Sequence, residues 1–329
     1  MKLRGKTLLV TGGAGFIGSH FVEEYAKTHT IIVYDNFASN VVTPSQLKTF
    51  GVSRVVKGDI LDREKLTKAM KGVDVVFHFA VACVRLSLSD EAHVHEVNAT
   101  GTLFALLAAK KAGVKQFVYI SSSEVYGTTH GESIDESHGI TPQTVYGMSK
   151  YVGELYAKHF NDIEGLPSCI IRPFNAYGPR AHFDGVYGEV IPRFTIQALS
   201  GTQLTVFGDG SQTRDFTYVK DTVTGIYAAA EEEKLRGDVI NIAFGKEVSV
   251  RTIAQTICRH TNLPYQPDQL PPRPNDVDRL AANTKKAGKL LGFSPKTAIE
   301  TGLELYVDWV KQSYRDTKKL LRQIPSRNW

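Results

Sequence analysis

A phenol and an ammonium stand four residues apart in Tyr146-Gly147-Met148-Ser149-Lys150. On a helix that spacing puts both groups on one face, one turn apart. An ammonium beside a phenol lowers its pKa, so the pair is expected to supply a phenolate base for the proton of a substrate hydroxyl. Such pairs also occur on solvated helix faces, and what lies upstream decides between the two readings. Ser121-Ser122-Ser123-Glu124-Val125-Tyr126-Gly127 follows a short apolar run. Polar groups at the C-terminal end of a parallel strand lie in the crevice where such sheets bind ligands. Together the two segments favour proton-transfer chemistry.

A second cluster is built from glycine. In Thr11-Gly12-Gly13-Ala14-Gly15-Phe16-Ile17-Gly18, the set Gly13, Gly15, Gly18 satisfies GxGxxG, and Gly12, Gly15, Gly18 the GxxGxxG variant. Glycine keeps such a turn tight and lets the backbone approach a pyrophosphate, whose charge then sits at a helix N-terminus. Asp35 closes the next apolar run, with Asn36 behind it. A carboxylate there accepts hydrogen bonds from a ribose 2′-hydroxyl and repels a 2′-phosphate, which favours NAD over NADP. Asp59, in Lys57-Gly58-Asp59-Ile60, is placed to meet the adenine or else to serve as a turn residue or helix cap. The expected cofactor contacts here are Gly12, Gly15, Phe16, Ile17, Gly18, Asp35, Asn36, Asp59 and Ile60.

These groups need a scaffold, and the alternation of elements supplies one. Thr7–Thr11, Ile31–Asp35, Arg54–Lys57, Val73–Phe79, Gln116–Ser121 and Ser168–Arg172 read as short buried strands. Helices are expected at Ile17–Thr28, Asp62–Met70, Ala92–Ala112 and Val145–Phe160. Apolar runs of this kind between helices mean parallel strands joined by right-handed crossovers. The fold class is α/β, a Rossmann-type doubly wound parallel sheet with a smaller C-terminal lobe. Residues 1–175 form the nucleotide-binding domain, with a strand near 239–244 returning to it. Residues 176–315 form mainly the lobe, and 316–329 a basic tail. Within the lobe, helices are expected at Ile191–Ser200, Lys285–Leu291 and Ala298–Lys311, and the proline-rich segment Leu263–Pro274 reads as an extended loop.

Composition narrows the class further. The chain has 329 residues, 42% hydrophobic and 22% charged, which excludes disordered, collagen-like and coiled-coil proteins. Cys83, Cys169 and Cys258 are far apart, fitting a reducing, cytoplasmic setting. No run suits a membrane span. The net charge of +5 belongs to Lys311–Trp329, where six basic residues face one acidic residue. A neutral body argues against nucleic acid, and the tail reads as a solvated helix face. His93 and His95 diverge on a helix, so no metal site is expected.

The segments TGGAGFIG, SSSEVYG, YGMSK, RPFNAYGPR, GDGSQTRDFTYV and RPNDVDRL run in an order that resembles the extended short-chain dehydrogenases/reductases acting on nucleotide sugars. The resemblance covers about residues 5 to 310. It implies a tightly held NAD that oxidises the sugar at C4. Tyr146 is then the base, Ser122 hydrogen-bonds the C4 oxygen, and Lys150 tunes Tyr146 and binds the cofactor. Asn175 resembles a residue contacting substrate phosphate or sugar, or pins a turn. Phe207 resembles a nucleobase-packing aromatic, or is core. Arg214 and Arg273 resemble diphosphate contacts, Arg214 alternatively pairing with Asp215. His78-Phe79-Ala80-Val81-Ala82-Cys83-Val84-Arg85 departs from the usual HxAA or HxAG. In the family that segment lines nicotinamide and sugar, which brings Phe79 and Ala80 to the cofactor and leaves Arg85 facing substrate or solvent. Arg180 and Arg193, in the YGPR…GEVIPRF segment, complete the expected substrate contacts.

Three reactions share the C4 oxidation: 4-epimerisation, 4,6-dehydration and C5 decarboxylation. Glu124 discriminates, because a carboxylate before VYG resembles dehydratases and decarboxylases, where it takes the acidified C5 proton. The dehydratase pattern of Asp before that Glu is not met, since Ser123 stands there and is kept as a catalytic candidate. The leading reading is a nucleoside-diphosphate-hexose 4,6-dehydratase, with UDP-sugar 4-epimerase and then UDP-glucuronate decarboxylase as alternatives, and an NAD-binding regulator as the non-enzymatic one. The resemblance also implies a homodimer, through a four-helix interface of Ala92–Ala112 and Val145–Phe160.

Overall fold

The computed structural model describes all residues except 40, 130, 132, 273–277 and 326–329. β1 (Thr7–Thr11) leads through the glycine turn into α1 (Phe16–Tyr25). β2 (Thr30–Asp35), α2 (Pro44–Thr49), β3 (Arg54–Lys57), α3 (Arg63–Ala69) and β4 (Val75–His78) follow. α4 (Glu91–His95) passes through a π-turn at Glu96–Thr100 into α5 (Gly101–Ala112), and β5 (Gln116–Ile120), α6 (Val145–Asp162) and β6 (Ser168–Pro173) come next. The chain then enters the lobe with β7 (Ala176–Tyr177), α7 (Val190–Leu199), β8 (Thr205–Phe207), β9 (Thr213–Asp215) and β10 (Thr217–Tyr218). It returns through α8 (Val219–Glu231) to β11 (Val239–Ile242) and leaves again through β12 (Glu247–Ser249), α9 (Val250–Thr261), β13 (Asp268–Leu270) and β14 (Arg279–Leu280). α10 (Lys285–Leu291), α11 (Ile299–Ser313) and α12 (Thr317–Leu321) end it.

The main sheet has the order β3-β2-β1-β4-β5-β6-β11, with every neighbouring pair parallel. Successive side chains of a strand point to opposite faces, so one strand feeds two cores. Leu8, Val10, Phe77, Val118 and Ile171 pack on one side with α1 and α8. Leu9, Val76, Phe117, Tyr119 and Ile170 pack on the other with α3, α5 and α6. A third core joins α7, α9 and α11 in the lobe. The crossover direction switches between β1 and β4, which opens a crevice at the strand ends.

One helix carries much of the chemistry and is fixed by polar contacts. Thr144 caps α6, accepting from the Gly147 amide at 3.1 Å. Further along, the buried Glu154 carboxylate accepts Ser121 Oγ at 2.5 Å and the Arg172 guanidinium twice, at 2.8 and 2.6 Å. Arg172 lies 4.6 Å over the Tyr126 ring, whose hydroxyl donates to Asn241 on β11 at 2.8 Å. A Cβ on Gly153 would fall 2.1 Å from the Tyr119 hydroxyl, so glycine lets α6 sit this close to β5.

The structure departs from the sequence reading in four places. The helix expected over Ala92–Ala112 is interrupted by the π-turn, where Asn98 accepts from the Ala82 amide at 2.8 Å and donates to its carbonyl at 3.0 Å. Such a turn widens the helix locally, here to carry a side chain that holds the loop after β4. Helices α8 and α9 were not anticipated. Part of the proline-rich segment is a strand, β13, paired with β8. In the tail, Lys318, Lys319 and Arg322 face solvent while Leu320, Leu321 and Ile324 pack on the lobe core.

Among the described residues no helix is long and apolar enough to cross a membrane, and no group of three His, Cys, Asp or Glu could hold a metal ion. Removing one partner of a buried ion pair strands the other, so Glu154→Ala lowers unfolding free energy by about 3–5 kcal/mol, read by urea denaturation followed by circular dichroism.

Candidate active site

The crevice between the β1 and β4 ends is a cavity lined by residues from both the sheet and the lobe. Its floor is the glycine turn. Gly12 has φ +68° and a Cβ there would stand 2.6 Å from the Ala80 amide nitrogen, while a Cβ on Gly18 would strike the Gly12 carbonyl at 2.2 Å. α1 starts at Gly15 with no side chain capping it, as a helix terminus that receives a pyrophosphate requires. Gly12, Gly15, Phe16, Ile17 and Gly18 all line the cavity. Gly13 faces Val33 on β2 instead, so the GxxGxxG reading is the one the cavity uses.

At the far edge, Asp35 accepts the Ala14 amide at 2.8 Å and the Phe37 amide at 2.7 Å. Burial pushes its carboxyl up, and the two amides oppose this. Asn36 donates to Asp59 at 3.2 Å, and Asp59 also accepts the Leu61 amide at 2.9 Å. Asp59 thus closes a turn and lines the cavity. The helix cap of α3 is Asp62. Ile60, Phe79 and Ala80 complete this wall. A cradle that only glycine permits, an uncapped helix start and a carboxylate at the end of β2 fit an NAD-type dinucleotide.

The opposite wall holds Ser122, Ser123, Glu124, Tyr146 and Lys150. The Tyr146 phenol is hydrogen-bonded to Ser122, whose Oγ also accepts the Glu124 amide at 3.2 Å. The expectation of a lowered phenol pKa is corrected here. Burial pushes the Tyr146 phenol up, the Ser122 bond opposes this, and Glu124, Cys83 and Glu189 add to the rise. Lys150 does not offset it, because its ammonium donates to the Ile120 carbonyl at 2.5 Å and lies 4.5 Å over the Tyr119 ring. Burial brings that ammonium down to about 7, with Glu154 opposing.

The residues expected to meet the substrate are sorted by the lobe. Asn175 lines the cavity, and its buried Oδ1 has no hydrogen-bond partner among the described residues. Such an acceptor calls for a donor from a ligand. Arg85 also lines the cavity, donating to the Tyr187 carbonyl at 3.4 Å. Arg180 does not: with φ +67° it turns away to Glu23 on α1 at 2.6 Å and over the Phe50 ring. Arg193 points from α7 to the Pro325 carbonyl at 2.7 Å, outside the cavity wall. Phe207 lines a second cleft, with Gln212, Asp278 and Arg279. Arg214, on β9, donates to its neighbour Thr213 at 2.8 Å, while Asp215 accepts the amides of Phe244, Gly245 and Ala282. Arg273 lies outside the described residues.

Four further residues line this wall: His182, which the sequence singles out only as part of a loop resembling that of the decarboxylases, and Cys83, Tyr187 and Glu189, which escaped the sequence reading. Cys83 and Glu189 stood inside quoted motifs. Glu189 precedes an apolar helical run and reads there as an ordinary cap.

The site can be set beside known proteins. The sequence pattern of the NAD dependent epimerase/dehydratase family matches residues 8–243. A UDP-N-acetyl-alpha-D-glucosaminuronate decarboxylase of Bacillus cytotoxicus is 35% identical, across 94% of this chain and 99% of its own length. The UDP-glucose 4-epimerase of Thermotoga maritima, solved with UDP-glucose, superposes with a TM-score of 0.88 at 32% identity, over 93% of this chain and 99% of its own. The dTDP-glucose 4,6-dehydratase DesIV of Streptomyces venezuelae, solved with NAD bound, gives 0.86 at 29% identity, over 93% and 97%.

Asp35→Asn removes the charge at the end of β2 while keeping one acceptor oxygen. NAD affinity then falls about 10- to 100-fold, the loss typical of a charge-assisted hydrogen bond, and the preference over NADP narrows. Titration of nicotinamide fluorescence with both dinucleotides measures the two changes.

Proposed function

This chain belongs to the NAD-dependent epimerase/dehydratase family of nucleotide-sugar enzymes, and we propose that it is a nucleoside-diphosphate-hexose 4,6-dehydratase acting through a 4-keto sugar. The observation that carries this reading is the carboxylate of Glu124 in the same cavity as the Ser122–Tyr146 pair. Epimerisation at C4 has no use for a base beside C5. Elimination toward C6 does.

In this reading residues 1–175, with β11, hold NAD on the Gly12–Gly18 turn, Asp35, Asn36, Asp59 and Ile60, with Phe79 and Ala80 beside the nicotinamide. NAD held there would supply the hydride acceptor for C4 and the source of the hydride's return. Tyr146 takes the C4 hydroxyl proton while Ser122 holds that oxygen. The buried Lys150 binds the nicotinamide ribose and lowers the phenol pKa once it is drawn off the Ile120 carbonyl. Glu124 takes the C5 proton, made acidic by the neighbouring ketone. Residues 176–315 hold the nucleotide sugar, with Asn175 at the junction. The free Oδ1 of Asn175 accepts from a sugar hydroxyl, and Arg85 meets the anionic part of the substrate. The Phe207 cleft takes the nucleoside, with Arg214 and Arg273 at the diphosphate. The UDP-sugar 4-epimerase is the second reading, favoured by a complete Ser122, Tyr146 and Lys150 set that needs no further group.

We further propose a cytoplasmic homodimer. Leu107 on α5 and Met148 and Leu155 on α6 are exposed, at 38%, 50% and 49%, on helices that contact each other over one sheet face. The cytoplasmic setting is supported by three free thiols.

Incubation with UDP-, dTDP-, GDP- and CDP-hexoses, with products weighed by mass spectrometry, tests the reaction. Loss of water is expected. An unchanged mass with a new NMR spectrum identifies the epimerase, and loss of carbon dioxide from a uronate the decarboxylase. Tyr146→Phe lowers turnover by about 100-fold or more, and unchanged turnover in that variant would sink the mechanism. In light scattering coupled to size exclusion, the wild type runs as a dimer and the Leu107→Glu, Leu155→Glu double variant as a monomer.

A further inference from the structure

The sugar end of the cavity holds a carboxyl for which the steps above have no use. Glu189 precedes α7, where a side chain ordinarily caps the helix, yet it makes no capping bond. Its backbone is tied on both sides, the amide donating to the His182 carbonyl at 2.8 Å and the carbonyl accepting from the Arg193 amide at 3.1 Å. The side chain is therefore delivered to the cavity wall beside Arg85, His182 and Tyr187. It has no hydrogen bond there among the described residues. Glu124 comes from the turn after β5 and Glu189 from the lobe, and both act through space on the Tyr146 phenol. Two carboxyls thus line the same cavity as the phenol that takes the C4 hydroxyl proton.

We propose that Glu189 is the general acid that protonates the departing C6 hydroxyl. This rests on the dehydratase reading. In the step, Glu124 takes the C5 proton and the electrons of the C5–H bond form the enolate of the C4 ketone, which then collapses to restore the ketone and form the C5=C6 bond. The C6–O bond breaks, Glu189 gives its proton to the leaving oxygen, and water departs. Atoms and charge balance within the 4-keto sugar, with no change in its overall oxidation level. Glu189 is left as a carboxylate facing the Arg85 guanidinium, which stabilises it.

The chemistry of the site supports this division of labour. An acid must hold its proton at neutral pH, and an ordinary glutamate, with a pKa near about 4.3, does not. Burial pushes the Glu189 carboxyl up to about 7, with Arg85 opposing. Such a group both holds and releases a proton near neutrality. Two acids in unlike surroundings are the arrangement that separates an acid from a base. Ser123, in the position before Glu124, is a hydroxyl and no acid at this pH. The lobe supplies what that position lacks.

The test compares wild type, Glu189→Gln, Glu189→Asp and Glu124→Gln with UDP-, dTDP-, GDP- and CDP-glucose in heavy water. The readouts are loss of water and deuterium at C5 of recovered substrate. Glu189→Gln is expected to lose water about 100-fold more slowly while still returning substrate with deuterium at C5. Glu124→Gln loses both, and Glu189→Asp recovers part of the elimination. An unchanged melting temperature and KM separate this from a folding or binding defect. Elimination by Glu189→Gln within threefold of wild type overturns the proposal, as does joint loss of exchange and elimination in that variant. If the wild type itself loses no water from any of the four sugars, the dehydratase reading fails and this assignment goes with it.

Discussion

The carboxylate of Glu154 is buried, and the way it is neutralised organises the catalytic wall. An ion taken out of water loses several kcal/mol of solvation, which only close and well-directed partners return. Here the Arg172 fork supplies two bonds and Ser121 a third. Arg172 belongs to β6, Ser121 to the end of β5 and Glu154 to α6, so three elements are held to within a hydrogen-bond length of one point. Residues four apart on a helix share a face. Lys150 and Tyr146, one and two turns before Glu154, are thereby aimed into the crevice. The same carboxylate eases the burial of the Lys150 ammonium.

A second buried carboxylate does for the lobe what Glu154 does for the sheet. Asp215, at the end of β9, accepts the amides of Phe244, Gly245 and Ala282. Those amides lie just past β11 and β14, where the chain passes between sheet and lobe. Burial pushes this carboxyl up to about 7, with the three amides opposing. Because this value lies above that of a free carboxyl, the folded state binds the proton more tightly than the unfolded chain, and protonation as pH falls through about 7 favours the fold. Both halves of the cavity wall thus depend on acids whose charge is managed by backbone and guanidinium donors.

Much of this was legible in the chain. Strand runs such as Thr7–Thr11 are apolar because parallel strands are covered on both faces, so their position and order could be read directly. The glycines at 12 and 18 could be read because a side chain at either would strike the neighbouring backbone. The Tyr146–Lys150 spacing needed only helix geometry. What stayed hidden depends on distant partners. Arg180 looks like a substrate contact until a positive-φ turn sends it to Glu23, 157 residues away in sequence. Arg193 meets a carbonyl 132 residues away. The π-turn around Asn98 answers to a loop 16 residues earlier, and no periodicity announces it. The acidity of Tyr146 is set by burial and by where the Lys150 ammonium points, neither of which a motif records.

The contact from Arg193 to the Pro325 carbonyl has a consequence for recombining parts of such proteins. Glu189 precedes α7 at the cavity wall, and Arg193, in the first turn of that helix, reaches Pro325 near the far end of the chain. The two stretches lie more than a hundred positions apart, with α8 and β11 of the sheet between them. A chimaera that imports residues 176–200 from a relative, to graft another sugar preference, would leave the native ending facing a foreign helix. Its guanidinium or carbonyl would then be buried without a counterpart. The unit of exchange is therefore α7 together with α12 and Pro325, a module continuous in space and split in the gene.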